Sequence, residues 1–290
     1  MTWSFSGNNS LSFNQLHVGN WAEGGESSLS GTAYISFTAQ LQRNKFQVDH
    51  NLNLGFGLLR NREKKLRKTE DRIDLTSTFG YNAFRKWNYT TLINFKTQFT
   101  DGFRYPNDST IISTFMGPAY LTLSLGMQYK PIKGLSVFLS PASGKFTLVL
   151  NQELADKGAF GVSPAVFSTD SAHSLIEPGK NVKPELGFNV NAYLKREVAT
   201  NVTLESRLVF YNNYLDENQT NRWNIDINWE ALVNFSINKF LSSTLRLNLL
   251  YDHNVNVKEF KYIDGKKILT GEGPRTQFKE SFGIGLNYKF

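Results

Sequence analysis

The chain has 290 residues, 40% of them hydrophobic and 20% charged, a formal charge of +7 and no cysteine. Disulfides, thiolate metal sites and redox-thiol chemistry are therefore excluded. No stretch of about 18 apolar residues occurs, so no transmembrane helix is expected. The opening MTWSFSGNNS lacks the basic start and apolar core of an export signal, and none is expected there. The positive balance favours anionic partners. Aromatics reach 14%, with 23 Phe and 12 Tyr, beside few aliphatic residues and many Asn.

In chain order, a first strand is predicted near 2–14. Residues 27–42, SSLSGTAYISFTAQLQ, alternate cleanly. Leu29, Ala33, Ile35, Phe37, Ala39 and Leu41 share one face, and Ser28, Ser30, Thr32, Ser36, Thr38 and Gln40 share the other. Period two means a strand with one apolar side and one wet side. After a tight turn the pattern repeats over 46–58 with Phe46, Val48, Leu52, Leu54, Phe56 and Leu58. It continues over 72–83, 87–100, 119–130, 135–150, 185–196, 201–211, 223–237, 241–252 and 276–290. About twelve strands result, and helical periodicity is nowhere persuasive.

The connections are lopsided. Short turns are predicted at 43–45, 84–86, 131–134, 196–200 and 238–240. Long loops are predicted at about 15–26, 59–71, 101–118, 151–184, 212–222 and 253–275. Short turns on one rim, long loops on the other and an even strand count describe an outer-membrane barrel. The expectation is all-β: residues 1–290 form a single up-and-down antiparallel transmembrane β-barrel with periplasmic turns and extracellular loops. A soluble sandwich or lipocalin-like barrel also alternates, but twelve long strands would enclose more space than these hydroxyl and amide side chains fill. Charges are almost absent from the apolar face, as hydrocarbon demands. Trp3, Phe46, Phe84, Trp87, Tyr129, Trp223, Phe240, Tyr288 and Phe290 cluster at strand ends, where amphipathic rings favour the interface.

The last strand places Phe278, Phe282, Ile284, Leu286, Tyr288 and Phe290 toward lipid. Its closing residues, Gly285, Tyr288 and Phe290, follow a Gly-x-x-aromatic-x-aromatic pattern that resembles the C-terminal assembly signal of bacterial outer-membrane proteins. That resemblance implies pairing with the edge of the assembly machinery during biogenesis, a form of strand addition. An ordinary amphipathic closing strand is the rival reading.

Two further stretches, QLHVGNWAEGGESS from Gln15 and LSPASGKFTLVLNQELADKGAFGV from Leu139, together with the N-terminal Trp, resemble a family of Bacteroidota outer-membrane barrels of unknown function. The resemblance implies a barrel and an outer-membrane address, and it supplies no catalytic residue.

Within the second stretch the outward parity flips from odd (Leu135, Val137, Leu139) to even (Phe146, Leu148, Leu150). A flip requires an inserted residue, so a bulge is expected over Ser140, Pro141, Ser143, Gly144 and Lys145. It either re-aims side chains toward the lumen or simply curves the wall. The following 151–184 loop carries Leu154, Ala155, Phe160, Val162 and Phe167, costly to leave in water. Residues 153–168 with Phe160 are expected to fold into the mouth and constrict it, or else to pack on neighbouring loops or a partner.

Most inward polar residues are neutral amides, among them Gln40, Gln47, Asn51, Asn94, Gln128, Asn189 and Asn248. The exception is Glu205, Arg207, Asp226, Glu230 and Arg246. Strand counting sets Arg246 across from Glu230 or one step off, and Arg207 close to Asp226. This lumen charge network either rigidifies the barrel or sets the field at a constriction.

Enzyme chemistry is not expected. Of the four His, His17, His173 and His253 fall in loops; His50 lies on the lipid face within reach of Ser77, where an amphipathic ring is unremarkable. No two His share a strand or a loop, so no metal site is expected, and no cofactor. The basic run Arg60, Arg62, Lys64, Lys65, Arg67 and Lys68 suits lipopolysaccharide phosphates or a solvated hairpin, and nucleic acid is discounted. The expected partners are the bilayer, lipopolysaccharide, the assembly machinery and an envelope protein. The leading functional expectation is a narrow channel for small polar solutes. The alternative is a structural or interaction subunit of an envelope complex, and a lipid-modifying enzyme comes third.

Overall fold

The computed structural model describes residues 2–16, 28–61, 66–104, 109–169, 174–216, 218–263 and 266–290. Twelve strands form the wall: β1 (Trp3–Leu16), β2 (Ser28–Arg43), β3 (Phe46–Asn61), β4 (Leu66–Phe84), β5 (Trp87–Thr97), β6 (Ala119–Ile132), β7 (Leu135–Leu148), β8 (Val182–Ala199), β9 (Val202–Asn213), β10 (Asp226–Ser236), β11 (Leu241–Tyr251) and β12 (Gln277–Lys289). Each pairs antiparallel with its sequence neighbours, and β1 also pairs with β12, so the sheet closes as a barrel. Closure satisfies every strand edge, the condition for crossing hydrocarbon with strands. It runs to the last residue, since Gly7 N–H donates to the Phe290 carbonyl at 3.0 Å and Phe290 N–H to the Gly7 carbonyl at 3.2 Å.

The wall is inside out relative to a soluble protein. Phe5, Phe13, Tyr89, Leu125, Phe282 and Leu286 are exposed, whereas Thr76, Asn88, Asn94, Asn189 and Asn234 are buried. Alternation at period two produces both faces at once: a residue that turns its ring to lipid sends both neighbours to the lumen. Even Trp229, on the lipid side, donates its indole N–H to Ser206 at 3.0 Å, as a polar atom there must.

The bulge lies on β7. Leu125 pairs with Ala142 and Met127 with Leu139, so one residue of β6 faces two of β7; Gly187 and Asn189 on β8 oppose Ser143 and Ser140 in the same way. Gly126 permits the close approach of β6 to the bulged strand. A Cβ on Gly126 would lie 2.0 Å from the Leu139 carbonyl oxygen.

Several expected loops are partly strand. β3 and β4 continue past the membrane face, with Leu59 opposite Arg67 and Arg60 opposite Leu66, so most of the expected 59–71 loop is a paired hairpin. Hydrogen-bonded ladders do not need apolar side chains once they stand in water. Residues 253–275 likewise form a hairpin, Asn256–Ile263 with Lys266–Pro274. β10 begins at Asp226 rather than 223, and Trp223 ends a 3-10 turn, 88% exposed, instead of sitting on a strand. Most of the expected 15–26 loop, with His17, as well as His173, Arg62, Lys64 and Lys65, lies outside the described residues.

Candidate functional site: a transverse ion-pair layer in the lumen

Inward parity on β4 directs Arg72, Asp74 and Thr76 into the lumen, and on β5 it directs Asn94 and Lys96 there. On β9 and β10 it directs Arg207 and Glu230, which face each other across one ladder step. Arg72 donates to Asp74 at 2.8 Å and to Glu230 at 2.7 Å. Lys96 approaches Asp74 at 3.6 Å and Glu230 at 3.8 Å, and Arg207 approaches Asp74 at 3.6 Å. β4 and β10 stand six strands apart in a ring of twelve whichever way it is followed, so the Arg72–Glu230 bond crosses the lumen. Asp74 is the hub. It has no exposed surface, and Asn94 adds an amide donor at 2.7 Å. Removing this carboxylate would leave three cations facing Glu230 alone.

Of the five charges expected to form one network, the structure joins only Arg207 and Glu230. Arg207 does not approach Asp226, which faces Tyr211; Arg246 pairs with Leu232, one same-face step from Glu230. Asp226 instead belongs to an outer cluster, where Lys145 lies 3.4 Å from Glu185 and 3.9 Å from Asp226, and 4.8 Å from the centre of the Tyr211 ring. Glu205 pairs with Lys195 at 3.2 Å nearer the short turns. Strand counting misplaced Arg207 because β9 runs on to Asn213 and β10 begins only at Asp226, which sets Arg207 opposite Glu230 and Asp226 opposite Tyr211. Arg72, Asp74 and Lys96 were overlooked, although each falls on an inward position of a strand already recognised; that parity was the available signal.

The two bulge serines are spent on packing, whereas Lys145 is presented to the lumen. Ser140 and Ser143 are fully buried; Ser140 donates to the Leu125 carbonyl at 2.7 Å, and Ser143 hydrogen-bonds Ser124. Pro141 needs no ladder partner for its nitrogen. Gly144 lies opposite Leu186, and Lys145 points into the outer cluster. Above it, Leu154, Ala155 and Val162 bury themselves against Val149, which continues the inward parity of β7, with Phe160 packed on the edge. Asn151 caps the short helix Gln152–Asp156. The Gln152 amide and the Gly179 N–H both donate to Asp156, holding its carboxyl below the ordinary range. Neighbouring loop residues join in, as Leu150 N–H donates to the Met116 carbonyl at 3.0 Å.

On the outside, His50 Nδ1 and Ser77 Oγ lie 2.8 Å apart, between the rings of Trp3 and Phe79. No carboxylate joins this pair among the described residues. Gly285 lies on the inner face, while Tyr288 and Phe290 present their rings outward, 60% and 54% exposed.

A closed twelve-stranded sheet, apolar outside and polar within, fits only a bilayer. It is a transmembrane-type β-barrel. Residues 13–103 match a family described as a protein of unknown function, DUF3078. No curated protein matches. Among solved structures, the chain is similar to the translocator domain of the autotransporter NalP from Neisseria meningitidis, at 10% identity, 99% of this chain and 87% of that one, with a TM-score of 0.40. It is also similar to the NanC porin, at 7% identity, 98% and 100% coverage and a TM-score of 0.39. The COG4313 outer membrane channel from Pseudomonas putida F1 is similar at 11% identity, 99% and 94% coverage and a TM-score of 0.38.

Proposed function

We propose that this barrel is a narrow channel for small polar solutes, with the ion-pair layer between β4, β5, β9 and β10 as its constriction. One observation carries the reading: the bridge crosses the lumen without filling it, and a cavity of about 190 Å³ remains to one side, bounded by β1, β2, β11, β12 and the start of β4. Hydroxyl and amide walls replace a solute's hydration without demanding one sign of charge. The layer itself holds three cations (Arg72, Lys96, Arg207) against two carboxylates (Asp74, Glu230), which favours anions weakly. Single-channel recording in planar bilayers tests it. Discrete small steps with a modest preference for anions are expected, and a preparation that folds but never conducts ends the channel reading.

An interaction subunit of an envelope complex is the second reading. It is favoured by Ile176, Leu215 and Trp223 on the long-loop side, 61%, 62% and 88% exposed, where water rather than lipid surrounds them. Affinity capture from solubilised envelopes, with a loop-deleted barrel as control, separates the two. A lipid-modifying activity at His50 and Ser77 is the third, tested by acyl release from labelled lipid. A Bacteroidota origin, the assembly role of Gly285, Tyr288 and Phe290, and contact of the basic 60–68 hairpin with lipopolysaccharide complete the proposal. Loss of outer-membrane insertion on deleting Phe290, and loss of lipopolysaccharide binding on neutralising the hairpin, are the corresponding checks.

A further inference from the structure

We infer that the cavity beside the bridge binds small solutes carrying a carboxylate, and that Arg246 is the group that holds it. The site lies on the proposed permeation route and narrows that route's solute class. Arg246 projects inward from β11, and its guanidinium carbon lies 3.7 Å from the centre of the Tyr34 ring on β2. The two strands are separated by β12 and β1, so this stack spans the floor of the cavity. Other lumen cations have a carboxylate within ion-pair distance: Arg72 and Lys96 share Asp74 and Glu230, Lys195 has Glu205, and Lys279 has Glu70. Arg246 has none among the described residues, and its buried Nε makes no hydrogen bond.

A guanidinium withdrawn from water without an anion is costly, and its planar fork matches a carboxylate in two parallel bonds. Stacking on Tyr34 uses the flat face of the guanidinium and leaves its N–H edges free for such a partner. Ser12, Thr32, Ser242 and Thr244 put hydroxyls around the same space, and Glu70, which also lines it, is paired with Lys279. Hydroxyls donate and accept, so they suit alcohol or amide groups on the remainder of the solute. A cavity of about 190 Å³ limits that solute to roughly the size of one sugar acid.

Calorimetric titration of the purified barrel in detergent with gluconate, and with sorbitol as its neutral counterpart, tests the site. Saturable gluconate binding is expected, with none for sorbitol over the same range, and Arg246→Gln weakens it by about tenfold or more. Arg246→Lys, which keeps the charge but not the fork, falls between. Should Arg246→Gln fail to fold, as judged by heat-modifiable gel mobility, Tyr34→Leu removes the orienting ring and is expected to weaken binding as well. Absence of gluconate binding to the unaltered barrel, or binding that these variants leave undiminished, overturns the site. Bilayer recording separates the two ideas: conductance with no gluconate binding or block removes the site and leaves the channel, while binding without conductance does the reverse.

Discussion

Arg72 on β4 and Glu230 on β10 stand on opposite walls of the barrel, and their side chains meet at 2.7 Å. Together with Lys96–Glu230 and Arg207–Asp74, that contact braces the cylinder across its lumen. Either partner alone becomes an uncompensated charge in a narrow polar space, so Arg72→Met or Glu230→Gln is expected to destabilise the barrel by about 1–3 kcal/mol. The double replacement should cost less than the sum, because neither charge is then left behind. Urea unfolding of barrels in lipid vesicles, run as a double-mutant cycle, measures the coupling. A cycle that closes to zero would show that the bridge braces nothing. The double variant also clears the bridge, and its single-channel conductance is expected to rise.

Asp74 matters more than either. It is wholly buried and is approached by Arg72, Lys96, Arg207 and Asn94. Asp74→Asn keeps the shape and removes the charge, at an expected cost of about 3–5 kcal/mol. In barrels that still fold, the reversal potential in a salt gradient should move toward anions, since three cations then face Glu230 alone. No movement would place the layer off the ion path.

The bulge on β7 makes a purely steric prediction. A Cβ on Gly126 would lie 2.0 Å from the Leu139 oxygen, and one on Gly187 would lie 1.7 Å from the Asn212 oxygen. Backbone cannot yield as a side chain can, so Gly126→Ala and Gly187→Ala are expected to cost about 1–3 kcal/mol each or to block folding. Gly273 has open space around it, and Gly273→Ala is the control. Ser140→Ala should cost about 1–3 kcal/mol by leaving the Leu125 carbonyl unpaired.

The 151–184 segment is held by a small apolar cluster and by Asp156. Deleting 155–168 is expected to raise single-channel conductance if the segment narrows the mouth, and unchanged conductance would put it beside the opening. Its anchoring is also acid-sensitive. Bonds from Gln152 and Gly179 lower the Asp156 pKa in the folded state. Their contribution is therefore full above the ordinary carboxylate value of about 4 and is lost as pH falls through the depressed one. Limited proteolysis should cut this segment faster at low pH, and Asp156→Asn should be cut fast at every pH. Equal rates for the two proteins near neutrality would remove Asp156 as an anchor.

Much of the fold was legible because hydrocarbon outside and water inside impose a two-residue period that side chains display openly. Strand number, the alternation of short and long connections and the site of the bulge could all be read from parity alone. The ends of strands could not. Past the membrane face nothing apolar marks the ladder, so β3 and β4 extend through a stretch that reads as a basic loop. The candidate site was half legible for a related reason. Parity says that Arg207, Glu230 and Arg246 point inward, and says the same of Arg72, Asp74 and Lys96 on strands far away in the chain. Which of them meet depends on closure and stagger.

The sequence by itself therefore determined that this chain lines a membrane-spanning cylinder with polar side chains, because each strand carries its own two faces locally. Only the tertiary structure decided which inward charges bridge the lumen and which one, Arg246, has no carboxylate within ion-pair distance among the described residues. Partners across a closed ring are set by the whole circumference at once, and no local stretch contains that information.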